Sequence, residues 1–288
     1  MDIPFTKMHG LGNDFILIEE DQLEPEIELA HLAKNLCDRH FGIGADGLII
    51  VAPADDPACD IQFKYYNSDG SRAEMCGNGI RCFARYVRDQ GLIKQAEFRV
   101  ETLAGPVVPH LNADGTVTVD MGLPVLNPAL IPFTGTVEMP VLQFALTVDD
   151  LTLSVAAVSM GNPHCVIFMQ DVSPAPDWLA LGPKIEYHPL FPAKTNVEFV
   201  RIMDRHHVSV NVWERGVGQT LACGSGACAV AVAGVLRGLV ESPVTVQLPG
   251  GSLIIQWQGE PDHVMMTGPA SYVFVGTIPY ALPKAITH

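Results

Sequence analysis

Apolar residues fall along this chain in short runs bounded by Gly, Pro, Asn and Asp, a pattern that predicts mostly strands. In the first half the runs are Phe15-Ile16-Leu17-Ile18, Leu48-Ile49-Ile50-Val51, Ile61-Gln62-Phe63-Lys64-Tyr65, Glu97-Phe98-Arg99-Val100 and Thr116-Val117-Thr118-Val119. In the second they are Cys165-Val166-Ile167-Phe168, Asn196-Val197-Glu198-Phe199-Val200, Val208-Ser209-Val210-Asn211-Val212, Ser252-Leu253-Ile254-Ile255-Gln256-Trp257 and Tyr272-Val273-Phe274-Val275-Gly276. Two stretches switch to the helical period. Residues 78–90 place Ile80, Phe83, Ala84 and Val87 on one face, and Gly91 follows as a stop. Residues 225–237 are small and apolar all round, which predicts a helix buried on every side, inside a curved sheet. Residues 28–38 and 178–184 are weaker helical patterns.

The two strong helices follow similar segments. Met75-Cys76-Gly77-Asn78-Gly79 recurs 147 residues later as Ala222-Cys223-Gly224-Ser225-Gly226. Gly12-Asn13 recurs as Gly161-Asn162, and Gly122 with its neighbours as Gly268 with its own, at offsets of 149 and 146. Asn67 and Glu214 each precede their cysteine by nine residues. Landmarks in one order at one spacing predict two similar halves. The expected architecture is α+β: two pseudo-symmetric domains, each a curved mixed β-sheet wrapped around a central helix. Residues 1–123 with 273–288 form the half carrying Cys76, and residues 124–272 the half carrying Cys223. A pseudo-two-fold pair of domains commonly holds its ligand between the halves.

Composition narrows the function classes. The net charge of −15 over 288 residues disfavours nucleic acid as a partner. The segment Met1–Gly10 lacks the basic and apolar regions of a signal peptide, and the longest apolar stretch is too short to span a bilayer, so neither secretion nor a membrane is expected. Seven cysteines, an odd number in a long chain, point to reduced thiols in the cytoplasm.

Two of those cysteines carry a chemical pattern. A helix start presents unpaired N–H groups and about half a positive charge. A thiol there is expected to ionise below its ordinary value of about 8.5, and the same N–H groups suit a carboxylate. Two such starts, one from each half, place one thiol on either face of a carbon whose carboxylate they share. One thiolate removes the α-proton, the opposite thiol returns one, and the N–H donors hold the carbanion charge. For a single Cys-Gly pair, a small core residue is the plainer reading; its duplication at two helix starts favours chemistry. Cys82 and Cys228 read as core residues of the helices, and Cys37, Cys59 and Cys165 carry no motif.

The longer motifs identify a resemblance. Lys7-Met8-His9-Gly10-Leu11-Gly12-Asn13-Asp14-Phe15, Gly42-Ile43-Gly44-Ala45-Asp46-Gly47 and Asn67-Ser68-Asp69-Gly70-Ser71, the last followed by Cys76-Gly77-Asn78-Gly79-Ile80-Arg81, resemble segments of the diaminopimelate epimerase family. So do Gly161-Asn162-Pro163-His164, Asn196-Val197-Glu198-Phe199 and the stretch from Glu214-Arg215 to Gly226. The resemblance runs from about Lys7 to Pro269. It implies interconversion of L,L- and meso-diaminopimelate on the route to lysine, with no cofactor and no metal, in a homodimer. It implies Cys76 and Cys223 as the acid/base pair. Backbone N–H groups of Gly77, Asn78, Gly224 and Ser225 would meet the reacting carboxylate, and Asn13, Asn67, Asn162, Asn196, Glu214 and Arg215 would line the pocket. His164 would tune a thiol, contact substrate, or simply pack. An Arg fork suits the distal carboxylate and a Glu the ammonium. Some members carry Gln where Gly47 stands, which puts one pocket contact in doubt.

Two other readings bear on the same cysteines. Proline racemases and hydroxyproline epimerases also pair cysteines, but their second motif has Asp-Arg rather than Glu214-Arg215, and a cyclic substrate has no distal charge for Arg215. A redox or zinc site would use Cys76, Cys82, Cys223 and Cys228, whose spacing fits zinc poorly.

Overall fold

The structure, a computed structural model, describes residues 2–135, 139–169 and 177–280. It divides into an N-terminal unit, Met1–Val119 with Pro269–His288, and a C-terminal unit, Asp120–Gly268. The junctions fall at 119/120 and 268/269, where the sequence suggested 123/124 and 272/273.

The N-terminal unit begins with a hairpin of β1 (Asp2–Gly10) and β2 (Asn13–Glu19). Its two-residue turn, Leu11-Gly12, has φ of 59° and 88°, the positive values that tight hairpins require. Helix α1 (Leu29–Cys37) leads to β3 (Gly47–Ala52), which lies parallel to β2, and then to the antiparallel β4 (Ile61–Asn67) and β5 (Arg72–Ala73). Helix α2 (Gly77–Asp89) follows, then the short β6 (Val100–Glu101), β7 (His110–Leu111) and β8 (Val117–Asp120). The strand Ser271–Pro279 completes the sheet beside β1. The order is Ser271–Pro279, β1, β2, β3, β4, β5, with β6 on β4.

Helices cover both faces of this sheet. Ile16, Ile18, Leu48 and Ile50 pack against Leu32, Ala33, Leu36 and Cys37 of α1. Alternate residues face α2, where Phe63 meets Phe83 edge to face at 5.3 Å. Double coverage explains why β3 is apolar at every position rather than at every second one. It also corrects the one-sided reading of α2. Asn78, Arg81 and Cys82 are buried along with Ile80, Phe83, Ala84 and Val87.

The C-terminal unit repeats the order of elements. Strands β9 (Phe144–Val148), β10 (Leu151–Ser159) and β11 (Pro163–Phe168) run antiparallel in turn. Helix α3 (Trp178–Glu186) leads to β12 (Asn196–Ile202), parallel to β11, and on to the antiparallel β13 (His207–Glu214) and β14 (Gly218–Thr220). Helix α4 (Gly224–Leu236) and strands β15 (Val244–Leu248), β16 (Gly251–Gln256) and β17 (Met265–Gly268) complete it. Within this unit the strand order is β17, β16, β15, β13, β12, β11, β10, β9. Hairpin, helix, parallel strand, antiparallel strand and cysteine-headed helix thus occur twice in one order. Val155, Cys165, Ile167, Val197 and Phe199 pack with Leu181 and Ile185 of α3. The opposite face carries α4, which touches β10, β11, β12, β15 and β16. That position accounts for its all-apolar composition. Among the described residues, no helix is long and apolar enough to cross a membrane.

Candidate active site

Each cysteine caps the helix it precedes. Cys76 has extended backbone, and its Sγ accepts the N–H of Gly79 at 3.4 Å. Cys223 does the same with Gly226 at 3.4 Å. The helical ladder begins one residue later, with Ile80 N–H to Cys76 O and Ala227 N–H to Cys223 O. The N–H groups of Gly77 and Asn78, and of Gly224 and Ser225, therefore belong to first turns with no carbonyl four residues back in the helix. They are oriented donors beside a thiol, the arrangement that binds a carboxylate and takes up charge developing on it.

In the N-terminal unit, Asn13 stands where the β1–β2 turn enters β2. Cys76 Sγ lies 3.8 Å from Asn13 Oδ1, and Asn78 Nδ2 donates to that same oxygen at 3.1 Å. Asn13 Nδ2 donates to Asp46 Oδ2 at 2.8 Å. Behind it, Arg39 bridges Asp14 and Asp46, each at 2.8 Å, and Lys7 pairs with Asp14 at 2.7 Å and with the Gly44 carbonyl. Burial alone would raise the Asp14 pKa; hydrogen bonds from Arg39 and Lys7 outweigh it and hold the carboxyl well below the usual carboxylate range. Asn67 ends β4 opposite Gly47, its side chain donating to Ser71 Oγ at 2.9 Å. A side chain at Gly47 has no room, because a Cβ there would lie 2.4 Å from the Tyr65 ring. The Tyr65 ring occupies the space that a Gln would need.

In the C-terminal unit, polar residues alternate on the face of β11 and β12 turned to α4. His164 Nδ1 meets Glu198 Oε1 at 2.7 Å, and His164 Nε2 meets Asn162 Oδ1 at 2.9 Å. Glu198 presses on the start of α4. A Cβ at Gly226 would lie 2.6 Å from Glu198 Oε1, so a larger residue at this capping position would have to push that carboxylate aside. Ser225 Oγ is 3.5 Å from Cys223 Sγ. Glu214 ends β13 and accepts from Thr220 Oγ1 at 2.6 Å. Asn196 Oδ1 accepts the Arg215 N–H at 2.9 Å. Arg215 also donates through Nη1 to the Ala193 carbonyl, at an exposed position.

The Cys223 thiol departs from the expected acidity. Burial, followed by the charges of Glu214 and Glu198, pushes its pKa well above the ordinary thiol range, and the bonds from Ser225 and Gly226 only partly offset this. The helix start favours a thiolate by a modest amount, whereas desolvation of a buried sulfur acts at full strength. Cys223 therefore rests as a thiol. Cys82 and Cys228 are fully buried in the helices, and burial raises Cys82 to about 12.

Residues with evident positions in these networks that were not singled out from the sequence include Lys7, Asp14, Arg39, Asp46, Glu186 and Glu198. Glu186 accepts the Trp213 indole N–H and the Gly216 N–H, both at 2.9 Å, and so holds the Glu214–Gly216 turn. For Glu198 a signal existed. Asn196 and Glu198 are polar at alternate positions of the strand, among Val197, Phe199 and Val200.

The diaminopimelate epimerase family model matches residues 5–127 and 156–273. The diaminopimelate epimerase of Heliobacterium modesticaldum is 51% identical over 284 residues, covering 96% of this chain and 99% of that protein. That of Moorella thermoacetica is 50% identical over 279 residues, with the same coverage. Among solved structures, a phenazine biosynthesis protein of the PhzF family from Bacillus anthracis has a TM-score of 0.69 at 16% identity, covering 97% of this chain and 100% of that one. A hydroxyproline epimerase from Agrobacterium vitis has a TM-score of 0.65 at 14% identity, covering 96% and 92%. Those two likenesses describe the fold.

Proposed function

The chain belongs to the diaminopimelate epimerase family, and from that premise we propose that it interconverts L,L- and meso-diaminopimelate in lysine biosynthesis, using the thiols of Cys76 and Cys223 without pyridoxal phosphate or metal. The observation that carries this reading is the duplicated cap: two cysteines, each accepting the third N–H of its own helix at 3.4 Å.

One sulfur, as thiolate, takes the α-proton. The C–H bond breaks and its electron pair moves into the carboxylate, where the N–H groups of Gly77, Asn78, Gly224 and Ser225 carry the charge. Each such donor contributes on the order of 3 kcal/mol in a dry site. The other sulfur, as thiol, gives its proton to the opposite face of the same carbon. The two sulfurs have then exchanged protonation states, so the base of one direction is the acid of the other. The raised pKa of Cys223 suits the half of the cycle in which it enters as a thiol.

The remaining polar groups of the substrate fall to Asn13, Asn67, Asn162, Asn196, Glu214 and Arg215. Arg215 offers a planar fork to the distal carboxylate, and Glu214 a charge for an ammonium. His164 acts behind them through Asn162 and Glu198. A cytoplasmic location accords with seven cysteines of which none forms a disulfide. A homodimer accords with the strand Ser271–Pro279, which stands at the sheet edge with Tyr272, Val273, Phe274 and Val275 exposed.

The test is α-hydrogen exchange in deuterated water with L,L-diaminopimelate and, separately, with L-proline. Exchange and epimerisation of diaminopimelate alone are expected, and Cys76→Ala and Cys223→Ala should each abolish epimerisation. Wild-type epimerisation by either single variant, or turnover of proline in preference, would overturn the reading.

A further inference from the structure

A directed hydrogen-bond chain from Arg81 to Asp46 passes beside the Cys76 thiol. Arg81, fully buried, donates from Nη2 to Asn78 Oδ1 at 2.8 Å. Asn78 Nδ2 donates to Asn13 Oδ1 at 3.1 Å, and Asn13 Nδ2 donates to Asp46 Oδ2 at 2.8 Å. A guanidinium can only donate and a carboxylate can only accept. Each of the two amides between them therefore has one orientation that satisfies both neighbours. Turning either one sets donor against donor on one side and oxygen against oxygen on the other.

Both ends of the chain are themselves held. Arg81 also donates from Nη1 to Gly77 O and from Nε to Pro269 O, at 3.1 and 3.2 Å. Asp46 takes Arg39 on one carboxylate oxygen at 2.8 Å and the Asp14 N–H on the other at 3.1 Å. The orientation of Asn13 thus follows from groups that cannot reverse their roles. Its consequence falls on the sulfur 3.8 Å from Asn13 Oδ1. An amide oxygen accepts the proton of an S–H group and offers nothing favourable to a thiolate.

We propose that Arg81 and Asp46 are positioning residues that lock the Asn13 amide with its oxygen toward Cys76, so that this cysteine meets Asn13 as a proton donor. The lock rests on the reading of Cys76 as a proton carrier. It gives that carrier a fixed partner for its proton, and it makes the thiolate left behind a stronger base, supported by Gly79 N–H but opposed by the Asn13 oxygen. Gln or Asn at either end would free the amides to turn, because an amide can both donate and accept.

The experiment measures the sulfur directly and uses no substrate. In the wild-type enzyme, the S–H infrared band of Cys76, isolated by subtracting the spectrum of Cys76→Ser, is expected at the lowered frequency of a hydrogen-bonded thiol. In a Cys223→Ser background, Asp46→Asn should return that band toward the free-thiol position. The same change should speed alkylation of Cys76 by iodoacetamide up to about tenfold at neutral pH, the effect of one pKa unit on the thiolate fraction. Asp46→Glu, which keeps an acceptor-only group, should restore both readings. A free-thiol band in the wild type overturns the proposal, and so does a folded Asp46→Asn protein with unchanged band and rate. If Asp46→Asn does not fold, the wild-type band decides alone. Should the protein fail to epimerise diaminopimelate while the band is lowered and responds to Asp46→Asn, the functional reading falls and the lock stands.

Discussion

His164 Nδ1 lies 2.7 Å from Glu198 Oε1 with neither side chain exposed, and the other oxygen of Glu198 is buried without a hydrogen-bond partner among the described residues. Removing Glu198 leaves the buried His164 Nδ1 without its hydrogen-bond partner, at a cost of about 1–3 kcal/mol. Glu198→Leu is therefore expected to lose about that much stability in urea unfolding. Glu198→Gln, which keeps an acceptor for His164, should lose about 1 kcal/mol or less. Equal losses would show that the pairing contributes nothing specific.

The Cys223 thiol is held neutral by burial first and by Glu214 and Glu198 second. Its folded pKa is raised, so the associated stability is complete below the ordinary thiol pKa and is lost as pH rises through the folded value. In a Cys76→Ser background, alkylation of Cys223 should stay slow near pH 8 and quicken only at higher pH. Glu214→Gln removes a charge that opposes the thiolate and should speed this alkylation about tenfold; in the chain with both cysteines it should depress turnover. A Cys223 rate like that of free cysteine at pH 8 contradicts the assignment.

Asp14 has the opposite sign. Its lowered pKa gives stability that is complete above about pH 4, the unfolded value, and declines as pH falls through the folded value. Thermal melts of wild type and Asp14→Asn should differ most at neutral pH and converge in acid. A gap that stays constant from pH 7 to pH 2 would remove the ion cluster as its source.

Glu186 brackets the Glu214–Gly216 turn from one side as Asn196 does from the other. Glu186→Ala is expected to raise KM for diaminopimelate about tenfold, the equivalent of one charge-assisted hydrogen bond, and to lower kcat by less. A fall in kcat with KM unchanged would place Glu186 outside substrate positioning.

Val275 is 73% exposed on the edge strand Ser271–Pro279. A lysine there discourages strand pairing between copies. Sedimentation at micromolar concentration should find a dimer for the wild type and a shift toward monomer for Val275→Lys. A monomeric wild type would end the homodimer reading, and a dimeric variant would move the interface elsewhere.

Helix α2 and most core strands were legible because their apolar periods are strong, and α4 because it is small and apolar all round. Strand β1 was not, since Thr6 and Lys7 interrupt its pattern; both are buried, Lys7 in the cluster around Asp14. The expected strand 97–100 shrank to Val100–Glu101 for a local reason. Asp60 takes the Arg99 N–H with its side chain and donates its own N–H to Arg99 O, so these groups are spent before a longer ladder forms. In the site, the cysteines and asparagines were read from their motifs, whereas Glu198, Asp46 and Arg81 needed a register and a contact to acquire meaning. The acidity of Cys223 was misjudged because burial cannot be seen at a helix start read as a string.

The contact of Gly47 with Tyr65 binds two positions into one unit of inheritance. A larger residue at 47 must displace the aromatic ring, and a smaller one at 65 opens a hollow that a bare backbone cannot fill. Transplanting a glutamine into this strand alone would therefore import the amide without its seat; a change at 65 clears the ring, and the Tyr66 carbonyl, 2.8 Å from the same Cβ, must move as well.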